Sequence, residues 1–455
     1  MQTYVSLWRK FYKKNYYYHN DAYELVKRLL PADASVLEIG SKDGVLLRKI
    51  PNREKVGVTN SYFLKENRGV NLVDIEKFPE NLKGKKFDYV LINHFFSESL
   101  DVQLFVRKLD KVIHEDSVII VIFFNFLWKP VLDIAAKLGL KLPQERSPNW
   151  LTPQDIRNTF YLENYYEVMS GKRFLFPFKI PVLSSLLNSY LSQLPLVNNF
   201  CLTNFAIFRP QAKAKDLSVS IVIPARNEEG NIRGILSKIP RLGIKTEIIF
   251  VEGHSKDNTY QEITKEIKKY KGASTVKLVK QKGQGKYDAV RLGFSKAKND
   301  LLMILDADLS VTPVELTKFY KAASEAKGQL IIGSRLVYPL EGEAMRAINY
   351  LGNKIFSILF TFILGQEIKD TLCGTKAIFK KDYRRLIKAT KIFKNLDPFG
   401  DFDLIFGAAR LNFKMVEVPV RYKRRLYGAT NIKRFQHGFL LLKMVAVAVR
   451  TFKFF

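Results

Sequence analysis

The residues best suited to chemistry in this sequence are Asp306 and Asp308, which follow the apolar run Leu301-Leu302-Met303-Ile304-Leu305 with one alanine between them. Five apolar residues in a row read as a strand buried on both faces. At the end of such a strand, alternation along an extended chain sends both carboxylates the same way, to the side where open α/β sheets bind ligands. Two carboxylates held together can bind a hard divalent cation, Mg²⁺ or Mn²⁺, and that cation can bind a diphosphate. A pair of spaced aspartates is also common by chance, so the neighbouring sequence has to decide.

Three further apolar runs precede this one. Ser218–Ile223 ends in Pro224, Ala225, Asn227 and Glu228; Ile248–Val251 ends in Glu252, with Asp257 five residues on; Val276–Val279 is followed by Gly283-Gln-Gly285, Lys286 and Arg291. Carboxylates at the first two turns can accept hydrogen bonds from a base and a ribose. A glycine-rich helix start with Lys286 and Arg291 suits a diphosphate. Each piece alone has a bland reading, a helix cap or a solvated charge. Four in this order are hard to obtain by chance. Strands alternating with helices imply an α/β fold with a doubly wound sheet, and Ile232–Ile239 is expected to be one helix.

The elements that position these residues occupy half the chain. At 455 residues it is long enough for two or three domains, and its mean hydropathy of −0.09 suits sizeable cores. The short, charged stretch 209–216 is the expected boundary, giving domains 1–212 and 213–455. Two cysteines, Cys201 and Cys373, imply no disulfide framework. The net charge of +30 favours an anionic partner. Beyond Glu417 there are nine Lys or Arg and no acid, mixed with long apolar runs. That mixture points to an anionic membrane surface and not to nucleic acid, whose partners gather bases, not acids, at the site. No run reaches the ~18–20 apolar residues of a spanning helix, and the first residues lack the apolar core of a secretory signal. The expectation is a cytoplasmic protein, peripheral on the inner face of the membrane.

The first half repeats the strand–helix alternation. Val36–Ile39, Val56–Thr59, Phe87–Asn93 and Val118–Phe124 read as strands, and Leu202–Phe208 as the strand that closes the sheet. LEIGSKDG (37–44), NLVDIEKFP, KFDYVLINHFF and NWLTPQDIRNTF resemble, in order, the class I S-adenosylmethionine-dependent methyltransferases, which implies a Rossmann-like sheet over the first domain. The resemblance assigns Glu38, Gly40, Gly44 and Asp74 to the cofactor. It departs from the family where Lys42 replaces a turn glycine and where Thr59 or Asn60 stands in place of the ribose-binding acid.

The second half resembles the family 2 glycosyltransferases of the GT-A fold over about 218–435. Ile332-Gly-Ser-Arg335, the segment Asp370–Phe379 and the segment Glu417–Asn431 are similar to the dolichol- or polyprenyl-phosphate sugar transferase branch. The resemblance implies a nucleotide-diphospho-sugar donor lined by Pro224, Ala225, Asn227, Glu228, Glu252 and Asp257. It places a metal on Asp306 and Asp308, with Arg335 near the reaction centre. It suggests Asp401 as base, with Asp403 second. Lys376, Arg421 and Arg425 would take an acceptor phosphate or the leaving diphosphate. The implied reaction is inverting transfer to a polyprenyl-phosphate or a cell-envelope glycan. Two rival readings are methyl transfer to a glycan as the principal activity, and a non-catalytic basic binding protein.

Overall fold

The computed structural model describes residues 2–65, 69–142, 148–339, 347–389, 401–425, 427 and 434–453. They fold as two compact units that divide after Ala212. The first contains β1 (Val36–Ile39), β2 (Lys55–Thr59), β3 (Asn71–Asp74), β4 (Phe87–Asn93), β5 (Ile113–Phe124), β6 (Tyr165–Arg173) and β7 (Thr203–Pro210), in the order β3-β2-β1-β4-β5-β7-β6. Strands β1 to β5 pair in parallel. Strand β7 is antiparallel to both β5 and β6, so it lies inside the sheet and does not close it. The edge strand β6 carries Glu167, Ser170, Gly171 and Lys172, too polar a run to announce a strand.

The second unit contains β8 (Ser218–Ala225), β9 (Lys245–Glu252), β10 (Thr275–Lys280), β11 (Leu301–Ile304), β12 (Leu330–Ser334), β13 (Lys376–Phe379) and β14 (Met415–Pro419), in the order β10-β9-β8-β11-β13-β12-β14. Both sheets are therefore mixed, with helices on their faces. In the second, β13 is the antiparallel member. The apolar run at β11 is buried on both sides, as its composition demands. Leu302 and Ile304 join one core with Val222, and Leu301, Met303 and Leu305 join the other with Val219 and Ile221.

Two expectations on geometry fail. Ile232–Ile239 is not one helix but two single turns, Glu229–Ile232 and Ile235–Lys238, because Gly234 between them takes φ +72° and breaks the helical path. The extended strand also stops at Ile304. Leu309 N–H bonds the Asp306 carbonyl at 3.2 Å, with Leu309 at φ +53°, so Asp306–Leu309 is a tight turn. Strand alternation therefore does not set the directions of Asp306 and Asp308. No helix among the described residues is long and apolar enough to cross a membrane.

Candidate functional site

Parallel strands β9, β8 and β11 place their C-terminal ends side by side, and the polar turns lie there. Asp306 meets Lys286, from the start of the helix Gly285–Lys296, at 2.6 Å. Asp308 meets Arg425 at 2.5 Å, and its other oxygen accepts the Ser310 N–H at 3.0 Å. Burial alone would raise the Asp308 carboxyl, but Arg425 and Ser310 more than offset it and hold the group below its ordinary range. Arg425 also lies 3.8 Å from Glu228. Burial pushes Glu228 up to about 7; the Asn231 amide at 2.6 Å and Arg425 pull it down, while Asp308 and Asp306 push it up. Three acids and two bases thus share one pocket of field. Gly374 closes it: a Cβ there would fall on both the Asp306 carboxylate and the Lys286 ammonium.

The remaining residues expected to line a nucleoside build the adjoining turns. Asn227, at φ +56°, accepts the Lys256 N–H on its side-chain oxygen at 2.8 Å, and its own N–H reaches Ser255 Oγ at 3.1 Å. Glu252 accepts the Ser255 N–H at 2.6 Å. Asp257 takes the Glu229 N–H at 3.3 Å and the Thr259 N–H at 3.0 Å. The Ala225 carbonyl accepts the Gly253 N–H at 2.9 Å, which joins β8 to the β9 turn next to Pro224. These bonds make one rigid rim from two loops.

Other expected residues go elsewhere. The Arg335 guanidinium makes two bonds to Asp370, at 2.6 and 2.8 Å, and stacks on the Tyr422 ring at 5.0 Å. Burial opposes charge on both partners, yet Arg335 beside it holds Asp370 at about 2, and Asn353 adds a bond at 2.7 Å. Arg335 is thereby a half-buried brace between β12 and the loop of the fully buried Asp370. Lys376 is buried in β13 and donates to the Cys373 carbonyl. Arg421 is exposed, 5.6 Å from the Tyr338 ring. Asp401 opens the helix Asp401–Arg410, and its side chain lies outside the described residues.

Asp403 is buried and takes the Tyr287 hydroxyl at 2.5 Å, while Arg291 donates to that same hydroxyl at 2.9 Å. Burial raises the Asp403 carboxyl, and Tyr287 and Arg291 moderate the rise. Tyr287 thus ties the helix that carries Lys286 to the helix that begins at Asp401. Sequence reasoning missed it. Its place between Lys286 and Arg291, four residues before the arginine on one helix face, was the available signal.

The residues present fit a divalent cation. Asp306 and Asp308 are oxygen donors already facing positive charge, and a diphosphate would complete the ligand set. Among the described residues no cluster of three His, Cys, Asp or Glu could do so unaided. In the first unit the fit to S-adenosylmethionine is incomplete. Gly40 and Gly44 adopt φ +82° and +74° and form the turn, with the Gly40 Cβ position already taken by the Asn93 carbonyl. Glu38 is buried behind them. But Lys42 is turned out to Glu98 at 2.9 Å, Asp74 caps a helical turn through the Glu76 N–H at 3.1 Å, and β2 ends in buried Thr59 with no carboxylate. No reaction step is assigned to that unit.

Comparison with known proteins bears on the second unit. Residues 220–387 match the family model for glycosyl transferase family 2. A dolichol-phosphate mannosyltransferase from Pyrococcus furiosus is 28% identical over 250 residues, 52% of this chain and 67% of that protein. Glycosyltransferase AglJ of Haloferax volcanii is 27% identical over 49% of this chain and 68% of its own length. An undecaprenyl-phosphate 4-deoxy-4-formamido-L-arabinose transferase from Edwardsiella ictaluri is 31% identical over 46% of this chain and 61% of its own length. Among solved structures, a methyltransferase from Thermotoga maritima covers 46% of this chain and 96% of its own at 16% identity and TM-score 0.36. Glucosyl-3-phosphoglycerate synthase from Mycobacterium tuberculosis, solved with Mn²⁺ and UDP, covers 52% of this chain and 80% of its own at 17% identity and TM-score 0.38.

Proposed function

We propose, for a chain whose residues 220–387 match the glycosyl transferase family 2 model, metal-dependent, inverting transfer of a sugar from a nucleotide diphosphate to a phosphate carried by a polyprenyl lipid. The observation that carries this reading is the meeting of Glu228, Asp306 and Asp308 with Lys286 and Arg425 at the ends of parallel strands. Its relatives named as dolichol- and undecaprenyl-phosphate transferases support the acceptor class.

Asp306 and Asp308 would hold Mg²⁺ or Mn²⁺, which when bound neutralises charge on the departing diphosphate. Lys286 and Arg425 add positive charge to the same leaving group from fixed positions. The rim of Asn227, Glu252 and Asp257 orients the nucleoside. Asp401 is the base for a hydroxyl acceptor; an acceptor that is already a phosphate anion needs orientation more than a base. Arg335 and Tyr287 act by positioning. The helix Ala347–Leu364 exposes Leu351, Ile355 and Ile358 along one face, with Phe360, Ile363 and Leu364 buried opposite. That stripe would lie in the membrane interface, where a lipid-borne acceptor is found.

The test is turnover of UDP- and GDP-sugars with Mn²⁺ by the wild type and by Asp308→Ala. The reading expects hydrolysis or transfer with at least one donor, and at least ~100-fold less in the variant. Equal turnover in the two proteins overturns it.

A further inference from the structure

In a segment that faces water, apolar side chains turn inward and polar ones outward. Residues 178–196 of the first unit do the reverse. Leu183–Gln193 winds as a short α-turn, a π-helical turn and a 3-10 turn. Its buried side chains are Ser184, Asn188, Ser192 and Gln193, three of them recurring every fourth residue. Their polar atoms are engaged. Ser184 Oγ accepts the Ile180 N–H at 2.5 Å and lies 2.7 Å from the Phe178 carbonyl. Asn188 accepts the Phe176 N–H and donates to the Phe176 carbonyl, both at 2.8 Å, and donates to the Tyr17 hydroxyl at 3.0 Å. On the outside, Phe178, Val182, Leu186, Tyr190, Leu194 and Leu196 are between 44 and 83% exposed. The polar side of the segment is its anchor, so the apolar side is held outward by construction.

The apolar face continues. Asn125 donates to the carbonyls of Asn199 and Cys201 at 2.8 Å, and Trp128 Nε1 to the Phe200 carbonyl at 2.7 Å. These bonds tie the segment to the helix Lys129–Lys137, which buries none of its residues and exposes Val131 and Ile134. Across 126–141 and 174–200 the charged residues are Lys129, Lys137, Lys141, Lys179 and Asp133, and Asp133 pairs with Lys129 at 3.0 Å.

We propose that this face of the first unit docks on an anionic lipid bilayer, its apolar side chains entering the headgroup–acyl boundary and its lysines meeting the phosphates. An outward apolar surface of this extent is costly in water. A protein partner would need no basic surround, whereas lysines around an apolar patch complement an anionic interface. The surface shares no residue with the proposed sugar-transfer site and stands whether or not the acceptor is a lipid.

The full chain is sedimented with vesicles of phosphatidylcholine, with and without phosphatidylglycerol. The wild type is expected to bind the anionic vesicles, less as salt rises. A triple variant, Phe178→Ser, Val182→Ser and Leu196→Ser, is expected to partition at least about tenfold more weakly. A second readout needs no loss of apolar surface: both native cysteines are buried, so a polarity-sensitive dye on Val182→Cys should shift to the blue with anionic vesicles. Undiminished binding of the triple variant, or an unmoved dye, overturns the proposal. So does a wild-type dimer that the triple variant dissociates, since the face would then belong to a second copy. If Ile355→Ser with Ile358→Ser in the second unit abolishes binding and the triple variant does not, this proposal fails while a lipid-borne acceptor stands.

Discussion

A carboxyl taken out of water needs donors or a proton, and Glu38 has one donor, the Asn93 amide at 3.2 Å. Its other oxygen is buried without a hydrogen-bond partner among the described residues. Burial therefore raises it from 4.5 to about 7, against the pull of Asn93. The folded value lies above the unfolded one, so the folded chain keeps its proton longer. Below 4.5 both states are protonated and ionisation of Glu38 adds no cost. Between 4.5 and about 7 the unfolded chain ionises alone and stability falls; above 7 the loss is complete. At 1.36 kcal/mol per unit the complete loss is on the order of 3–4 kcal/mol, most of it between pH 5 and pH 8. Urea unfolding of the first unit at pH 5 and pH 8 should show that loss in the wild type and not in Glu38→Gln, which stays neutral throughout. Equal pH dependence in the two proteins would mean that Glu38 is solvated or paired. The same burial that makes Glu38 costly would make it a receptor for a cationic or hydrogen-bond-donating group, but β2 offers no second carboxylate to go with it.

The helix Gly285–Lys296 shows how an element carries a site. Gly293 faces β8 so closely that a Cβ would overlap the Val222 side chain. The helix therefore rests directly on the sheet, and this fixes Lys286, at its other end, against Asp306. Tyr287, which accepts a bond from Arg291 on the same helix, holds Asp403. Gly293→Leu should overpack this contact and cost about 1–3 kcal/mol. It should also weaken UDP binding by calorimetry, although residue 293 touches no proposed ligand group; unchanged binding would separate the helix from the site. Part of this was legible in the sequence. Apolar runs ending in acids marked β8, β9 and β11, because a strand buried on both faces has few other compositions. Partnerships were not legible. Arg425 lies 117 residues from Asp308 and Asp403 lies 116 from Tyr287, and no local spacing encodes such pairs. The glycine-rich turn at Gly285 was readable, but the break at Gly234 was not, since a glycine inside an apolar-spaced stretch is equally compatible with a continuous helix. Strand β6 was hidden for a related reason: an edge strand half open to solvent needs few apolar residues.

At the scale of the molecule, each unit closes its own cores. Leu37, Val90 and Val121 centre one pair of layers, and Val222, Ile304 and Ile332 the other. Proteins built this way need not unfold in one step, and a ligand stabilises only the unit that binds it. The proposed donor site draws on residues 224–425 and on none before Ala212, while the incomplete glycine turn lies wholly in the first unit. Calorimetry should therefore resolve two transitions. Mn²⁺ with UDP at 100 times its Kd should raise one of them by the equivalent of about 2.7 kcal/mol and leave the other in place. Asp308→Ala should abolish the shift, because the proposed cation would lose one of its two carboxylate ligands. S-adenosylmethionine should move neither, since Thr59 at the end of β2 cannot replace the missing acid. A single transition displaced as a whole by UDP would mean that the units fold as one body. A shift of the other transition by S-adenosylmethionine would mean that the glycine turn, with Lys42 swung aside, still holds its cofactor.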